Sequence, residues 1–186
     1  MKARMSQAPR PLHKRLAFDL SEGQVLDGPR RYLIMRADVL MGAFAKLDPE
    51  PRRLALQAMG ASVTDHGSDS VRAYLTEVGA DALLQTMVTA SASLGWGVWS
   101  FRRLPDQLWL EVRNSPFAAG TPSSTDPVRT PIVGMLRAVA QALWSEPADV
   151  VEWVCACQGQ AGVEGICRFQ ARTRLPKSPS TGPQTL

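Results

Sequence analysis

The chain has 186 residues, of which 45% are apolar and 20% charged, a composition that fits one globular domain with tails. No apolar run is long enough to span a bilayer, and the basic N-terminus lacks the apolar segment of a secretory signal, so a cytoplasmic protein is expected. The net charge of +4 comes from residues 1–16 and 172–186, and residues 17–171 carry −4; nucleic acid is therefore an unlikely partner.

The composition divides the chain into three parts. Residues 1–16 are basic and proline-containing and are predicted to be a disordered tail. Residues 17–174 are predicted to form a single domain, which begins with an extended segment over residues 17–30. Residues 175–186 contain closely spaced prolines and are predicted to be a second disordered tail.

The first half of the domain is predicted to be helical. Apolar residues at steps of three and four predict a first helix between residues 36 and 47. Asp48 and Pro49 predict the start of a second helix that ends near Gly60, and a break is expected at residues 65–67. A third helix is predicted to stop at Gly79, and a fourth covers residues 80–94.

The second half is predicted to be mainly strands. Residues 96–101 and 108–113 alternate and form a hairpin, followed by a loop over residues 114–130. Residues 132–144 carry the clearest amphipathic pattern of the chain and predict a long helix. Residues 150–157 and 166–171 form a second hairpin. The fold class is α+β, an antiparallel sheet of two hairpins packed against helices.

Three segments carry motifs of a known family: residues 114–118 (Asn-Ser-Pro-Phe-Ala), Pro-Val-Arg at 127–129 with Gly134, and Glu152 with Cys155, Gly159, Cys167 and Phe169. In these segments the chain resembles the V4R (vinyl-4-reductase) domain family. It implies the fold of vesicle-tethering subunits and nitric-oxide sensors, which are often dimeric. The family includes bacteriochlorophyll 4-vinyl reductase proteins and the aromatic-sensing domains of phenol-type and xylene-type activators.

The resemblance also implies a zinc site at Glu152, Cys155 and Cys167. The family's remaining cysteine is replaced by Arg129, and Cys157 could be the fourth ligand. In a regular strand Glu152 and Cys155 point to opposite faces, so a shared ion would require a bulge. Two other interpretations stay open: buried thiols in a site without metal, in which Arg129 pairs with Glu152, and reactive redox thiols.

Aromatic residues suggest a ligand pocket between sheet and helices. Its candidate residues are Trp96, Trp99, Phe101, Trp109, Phe117, Met87 and Met135, although tryptophans at strand spacing are also typical of a core or a dimer interface. The sequence shows no nucleophile–histidine–carboxylate motif and no glycine-rich nucleotide motif.

The first hypothesis is a module that binds or senses a hydrophobic or aromatic compound and acts through a partner protein. The alternatives are a tetrapyrrole-pathway 4-vinyl reductase or pigment-handling protein, and a structural homodimer module without a ligand.

Overall fold

The structure, a computed structural model, describes residues 10–120, 131–156 and 165–174. It confirms the predicted α+β class with antiparallel sheets and helices. The N-terminal part contains a 3-10 helix at Leu12–Lys14 and a three-stranded antiparallel sheet of β1 (Ala17–Asp19), β2 (Gln24–Asp27) and β3 (Arg30–Tyr32).

Residues 10–16 correct the prediction of a disordered tail as far as it falls on them. Leu12 is buried, and the Arg15 guanidinium donates to Asp27 at 2.8 Å and to the Tyr74 hydroxyl at 3.1 Å. These contacts hold the small sheet against a helix, because a half-buried arginine is stable only with acceptors. The predictions for residues 1–9 and 175–186 lie outside the described residues.

Two helices of very different length follow. Helix α1 spans Ala37–Ala45 and α2 spans Pro49–Ser93, with Asp48 at the N-cap and proline in the first turn, as predicted. The expected stop at Gly60 and break at residues 65–67 are wrong, because α2 runs through both. Gly79 does interrupt α2: its φ of 78° and ψ of 172° are not helical, and the helix resumes after this kink.

The main sheet has four strands in the order β4-β5-β7-β6, all antiparallel. The strands are β4 (Val98–Arg103), β5 (Gln107–Arg113), β6 (Ala148–Val154) and β7 (Ile166–Thr173). The two predicted hairpins are β4–β5 and β6–β7, joined through β5 and β7. Of the residues described between β5 and β6, two stretches are helical: the short α3 (Pro116–Ala119), whose N-cap Ser115 accepts from the Ala118 amide, and α4 (Pro131–Trp144).

The core lies between one face of this sheet and the helices α2 and α4. Alternation along the strands directs Leu108, Leu110 and Val112 of β5 and Phe169 of β7 into it. Helix α4 contacts α2, β6 and β7, and its buried residues include Ile132, Leu136 and Val139. The opposite face of the sheet faces away from these helices. None of the helices in the described ranges has the length and apolar character needed to cross a membrane.

Candidate functional site

Strand β6 contains an irregularity next to the candidate metal ligands. Glu152 is opposite Phe169 of β7, but Val154, two residues later, is opposite Arg168, so one extra residue lies between them. Such a bulge resets the alternation of side chains. Cys155 therefore returns to the inner face that Glu152 occupies, which is the geometry that the sequence alone left undecided.

The bulge brings three of the predicted ligands together. One potential ligand atom from each of Glu152, Cys155 and Cys167 lies within 4.8 Å of those of the other two. All three side chains are buried, with exposed fractions of 8%, 1% and 2%. Cys167 is on β7, opposite Val112, and its sulfur accepts from the Ala156 amide at 3.3 Å. Cys157 and Arg129 lie outside the described residues, so their roles stay predictions.

The electrostatics of this cluster, which we call the Glu-Cys-Cys cluster (Glu152, Cys155, Cys167), are unfavourable for the bare carboxylate. Burial, together with the adjacent Cys155, raises the pKa of Glu152 to about 10. Neither carboxylate oxygen of Glu152 has a hydrogen-bond partner among the described residues. The pKa of the Cys167 thiol is also raised, through its hydrogen bond with Cys155 and through burial. Without a cation, Glu152 and Cys167 therefore stay protonated at neutral pH.

The residue types and their spacing fit a divalent metal ion of the zinc type. Zinc binds thiolate and carboxylate ligands at about 2.0–2.3 Å, so its ligands lie close to one another, and a small contraction of the cluster satisfies this. A cation would also give the two unpartnered Glu152 oxygens a partner, which buried carboxylates require. Three ligands leave the fourth tetrahedral position to a residue outside the described ranges or to another donor.

Most of the aromatic candidates lie on the inner side of the main sheet. The rings of Trp96 and Phe117 meet edge to face at 5.3 Å, and those of Trp99 and Phe101 at 5.9 Å. Trp99 is buried and donates its indole N–H to the Trp96 carbonyl at 3.1 Å. Met87 belongs to the same core, and Met135 of α4 packs against it.

Trp109 does not share this location. It alternates with the buried Leu108 and Leu110 and therefore points to the outer face of the sheet. There its ring stacks on that of Trp153 at 6.5 Å, with an interplanar angle of 27°. The alternation of side chains along β5 is the sequence signal that separates Trp109 from the other candidates.

The outer-face tryptophans are linked by two glutamines that sequence reasoning did not single out. Trp153 donates to the Gln170 Oε1 at 3.1 Å, and the Gln170 amide donates to the Gln107 Oε1 at 2.7 Å. Trp109 donates to the same Gln107 oxygen at 3.2 Å. This network crosses β5, β7 and β6, and Gln170 is 3% exposed. Both indole N–H groups are thus satisfied while Trp153 remains 57% exposed.

A cavity of about 460 Å³ lies elsewhere, between the start of the described chain and α2. Residues 10–12 form one wall, and the other wall spans the kink, with Tyr74 and Val78 before it and Ala82 and Thr86 after it. None of these residues was predicted as a site, because the segment at residues 10–12 was expected to be disordered.

No family model and no curated protein matches the sequence. Among solved structures, the chain is similar to the phenol-responsive sensory domain of the transcription activator PoxR with phenol (TM-score 0.72, 15% identity, covering 93% of this chain and 92% of that one). Other matches are a vinyl-4-reductase family protein from Methanocaldococcus jannaschii (TM-score 0.45, 13% identity, 76% and 97% covered) and a trafficking protein particle complex subunit 3 from Naegleria fowleri, covalently bound to palmitic acid (0.48, 8%, 74% and 95%). The likeness to the phenol-responsive sensory domain confirms the predicted fold, and only the fold.

Proposed function

We propose that this chain is a small-molecule-binding or sensing module for hydrophobic, aromatic compounds and that it acts through a partner protein. The observation that carries the proposal is the likeness to the phenol-responsive sensory domain, which extends over 93% of the chain. A shared fold alone does not fix a function, so the proposal also needs a suitable site in this chain.

We propose the inner aromatic cluster (Trp96, Trp99, Phe101, Phe117 and Met135) as this site. Trp96, Phe101 and Met135 are half-buried at the margin of the core, whereas Trp99 and Phe117 are buried behind them. The aromatic rings of this cluster and the Met135 thioether can make the edge-to-face and sulfur–ring contacts that an aromatic ligand favours. We place the ligand between these side chains, on the helical side of the main sheet.

The Glu-Cys-Cys cluster is proposed to bind zinc as a structural ion. Glu152 and Cys155 of β6 and Cys167 of β7 would hold it, with Cys157 as the fourth ligand that the sequence offers. A bound zinc ion supplies a positive charge and a rigid connection between the two strands. The support is the unpartnered, buried carboxylate beside two buried thiols. We expect no catalytic role for it.

The module is proposed to form a homodimer through its N-terminal region. Three consecutive apolar residues between β3 and α1 are exposed, namely Leu33 (79%), Ile34 (69%) and Met35 (49%), and Val39 of α1 is 56% exposed. Contiguous apolar residues on a surface commonly mark an interface. Ile34→Asp should therefore convert a dimer to a monomer in light scattering.

Calorimetric titration with phenol tests the ligand class. Trp96→Leu should weaken phenol binding about tenfold or more, the change that roughly 1.4 kcal/mol of lost contact produces. Trp109→Leu is the matched control, since this tryptophan is on the outer face, and it should bind phenol like the parent. Ala82→Trp should fill the cavity beside residues 10–12. Because the proposed site lies elsewhere, this variant should bind phenol like the parent, and weaker binding would instead place the ligand in that cavity.

Native mass spectrometry of the purified chain distinguishes the alternatives. One zinc per chain supports the metal proposal. A co-purified pigment would favour a tetrapyrrole-pathway protein. A ligand-free dimer that does not bind phenol would favour a structural module. Either result would overturn the aromatic-sensing proposal.

A further inference from the structure

We infer that the outer face of the main sheet is a docking surface for an acidic protein partner. This surface, called the outer tryptophan face, is centred on Trp109 and Trp153 and is surrounded by the outward residues of the four strands. The inferred docking rests on the proposed function only in that both require a partner protein, and it does not depend on which small molecule the chain binds.

The first argument is that the exposed tryptophan is held in place. Trp153 is 57% exposed, yet its ring stacks on Trp109 and its N–H is bound by the nearly buried Gln170. Gln107 fixes both Gln170 and Trp109. A large aromatic side chain that is immobilised before binding loses little conformational entropy on contact, which is a property of binding hot spots.

The second argument is the charge around this pair. Arg168 is paired with Glu111 at 3.0 Å, and Asp149 is paired with Arg174 at 2.7 Å. Arg102, Arg113 and Arg172 also lie on outward positions and are exposed, without an acidic partner among the described residues. They give the face a surplus of positive charge, although residues 17–171 together carry −4. Such a face complements Asp and Glu side chains.

The remaining apolar exposure fits the same occupant. Val98 of β4 and Val151 of β6 point outward on the two edge strands and are 45% and 55% exposed. An apolar and aromatic centre with a charged rim is the usual anatomy of a protein interface. The partner segment should therefore carry apolar residues among its acids.

Two other occupants fit less well. A second copy of this chain would bring the same three arginines against one another, which is repulsive. Single-stranded nucleic acid requires open ring faces on which bases stack. Trp109 offers none, because Trp153 covers one side of the ring and the Arg102 guanidinium lies 5.6 Å from its centroid.

The test is selection of short random peptides displayed on phage against the full chain, followed by affinity measurement with the selected peptide made synthetically. We expect enrichment of Asp and Glu together with apolar residues, and binding that weakens as salt increases. Trp153→Ala and Arg172→Glu should each reduce the affinity about tenfold or more. Matched controls at exposed positions of the N-terminal region, Leu20→Ala and Arg31→Glu, should bind like the parent.

Several results would overturn the inference. They are selected peptides without acidic enrichment, an equal loss in the control variants, a single-stranded oligonucleotide that binds in a Trp153-dependent way, or a dimer that dissociates on Trp153→Ala. If Trp153→Ala melts below the parent, Arg172→Glu and Arg113→Glu decide, since both alter only exposed side chains. Phenol binding by these variants keeps the two proposals separate: a chain that binds acidic peptides but not phenol retains the docking surface and loses the ligand class.

Discussion

Gly134 of α4 lies directly against the Gly60 carbonyl of α2. A Cβ on Gly134 would be only 2.0 Å from that oxygen, and Thr64, one turn further along α2, donates its hydroxyl to the Gly134 carbonyl at 3.1 Å. Gly67 continues this contact, because a Cβ there would be 3.0 Å from the Met135 Cε. The two helices therefore pack backbone against backbone, and this close approach positions α4 over the sheet.

Gly134→Ala should disrupt this contact. The added methyl group meets backbone that cannot rotate away, so we expect a loss of about 3 kcal/mol or more in the free energy of unfolding, at the upper end of overpacking effects. Urea unfolding measures it. Gly42→Ala is the control, since a Cβ at this helical glycine of α1 has no neighbour within 4 Å, and it should be neutral or slightly stabilising. Equal stability of both variants would contradict the close approach.

Gly79→Ala should destabilise the chain for a different reason. No atom lies within 4 Å of a Cβ at this position, but the φ of 78° and ψ of 172° belong to a region that is essentially restricted to glycine. We expect a loss of about 1–3 kcal/mol in thermal or urea unfolding. Gly42→Ala again serves as the reference. A Gly79→Ala variant as stable as the parent would show that the kink is not required.

Cys155→Ser and Cys167→Ser should each release the proposed zinc ion. At zinc concentrations about 100 to 1,000 times the dissociation constant, binding contributes about 3–4 kcal/mol to the folded state. Each variant should therefore lose more stability in zinc than in EDTA, as followed by melting curves and metal analysis. Cys157→Ser tests the fourth ligand. Variants that melt like the parent, together with a parent free of metal, would eliminate zinc.

Glu152→Gln should change the pH dependence of stability in the metal-free chain. The carboxyl has a pKa of about 10 when folded and the ordinary value of 4.5 when unfolded. Between these values only the unfolded chain releases the proton, so the folded state loses up to about 1.4 kcal/mol per pH unit as the pH rises, whereas below pH 4.5 there is no penalty.

The amide of Glu152→Gln does not ionise, and the variant in EDTA should therefore exceed the parent in stability at pH 8 but not at pH 4. Glu146→Gln, at an exposed position after α4, is the control and should follow the parent. Denaturant unfolding at the two pH values measures the difference. A parallel pH dependence of parent and Glu152→Gln would show that Glu152 is charged in the metal-free fold.

The sequence predicted the strands of the main sheet and α4 well because their signals are local, whereas the small sheet of β1, β2 and β3 was expected only as an extended segment over residues 17–30. Alternation in β5 and the apolar spacing of α4 reflect the faces that these elements bury. The glycines of α2 show the opposite case. Gly60 and Gly67 resemble helix stops, but they lie inside α2, where they allow the close approach of α4, which is distant in the sequence. Arg15, with acceptors on β2 and α2, likewise shows why residues 10–16 were assigned to a tail.

The candidate site was predicted in its residues but not in its geometry. The motif at Glu152, Cys155 and Cys167 could be recognised, whereas the bulge that unites them is a property of pairing with β7. Trp109 was expected in the pocket because of its residue type. However, it alternates with Leu108 and Leu110 along β5, which already indicated that it lies on the other face. The outer network of Gln107 and Gln170 joins residues 63 positions apart and had no sequence signature.

The extra residue in β6 has a consequence for how this strand tolerates change. Deleting Trp153, which has no partner residue on β7, would close the bulge and leave the Glu152 and Cys155 side chains two positions apart, still on the same inner face. The same deletion would remove the stacked, exposed ring from the outer face. The extra residue is therefore required by the outer face of the sheet and not by the Glu-Cys-Cys cluster.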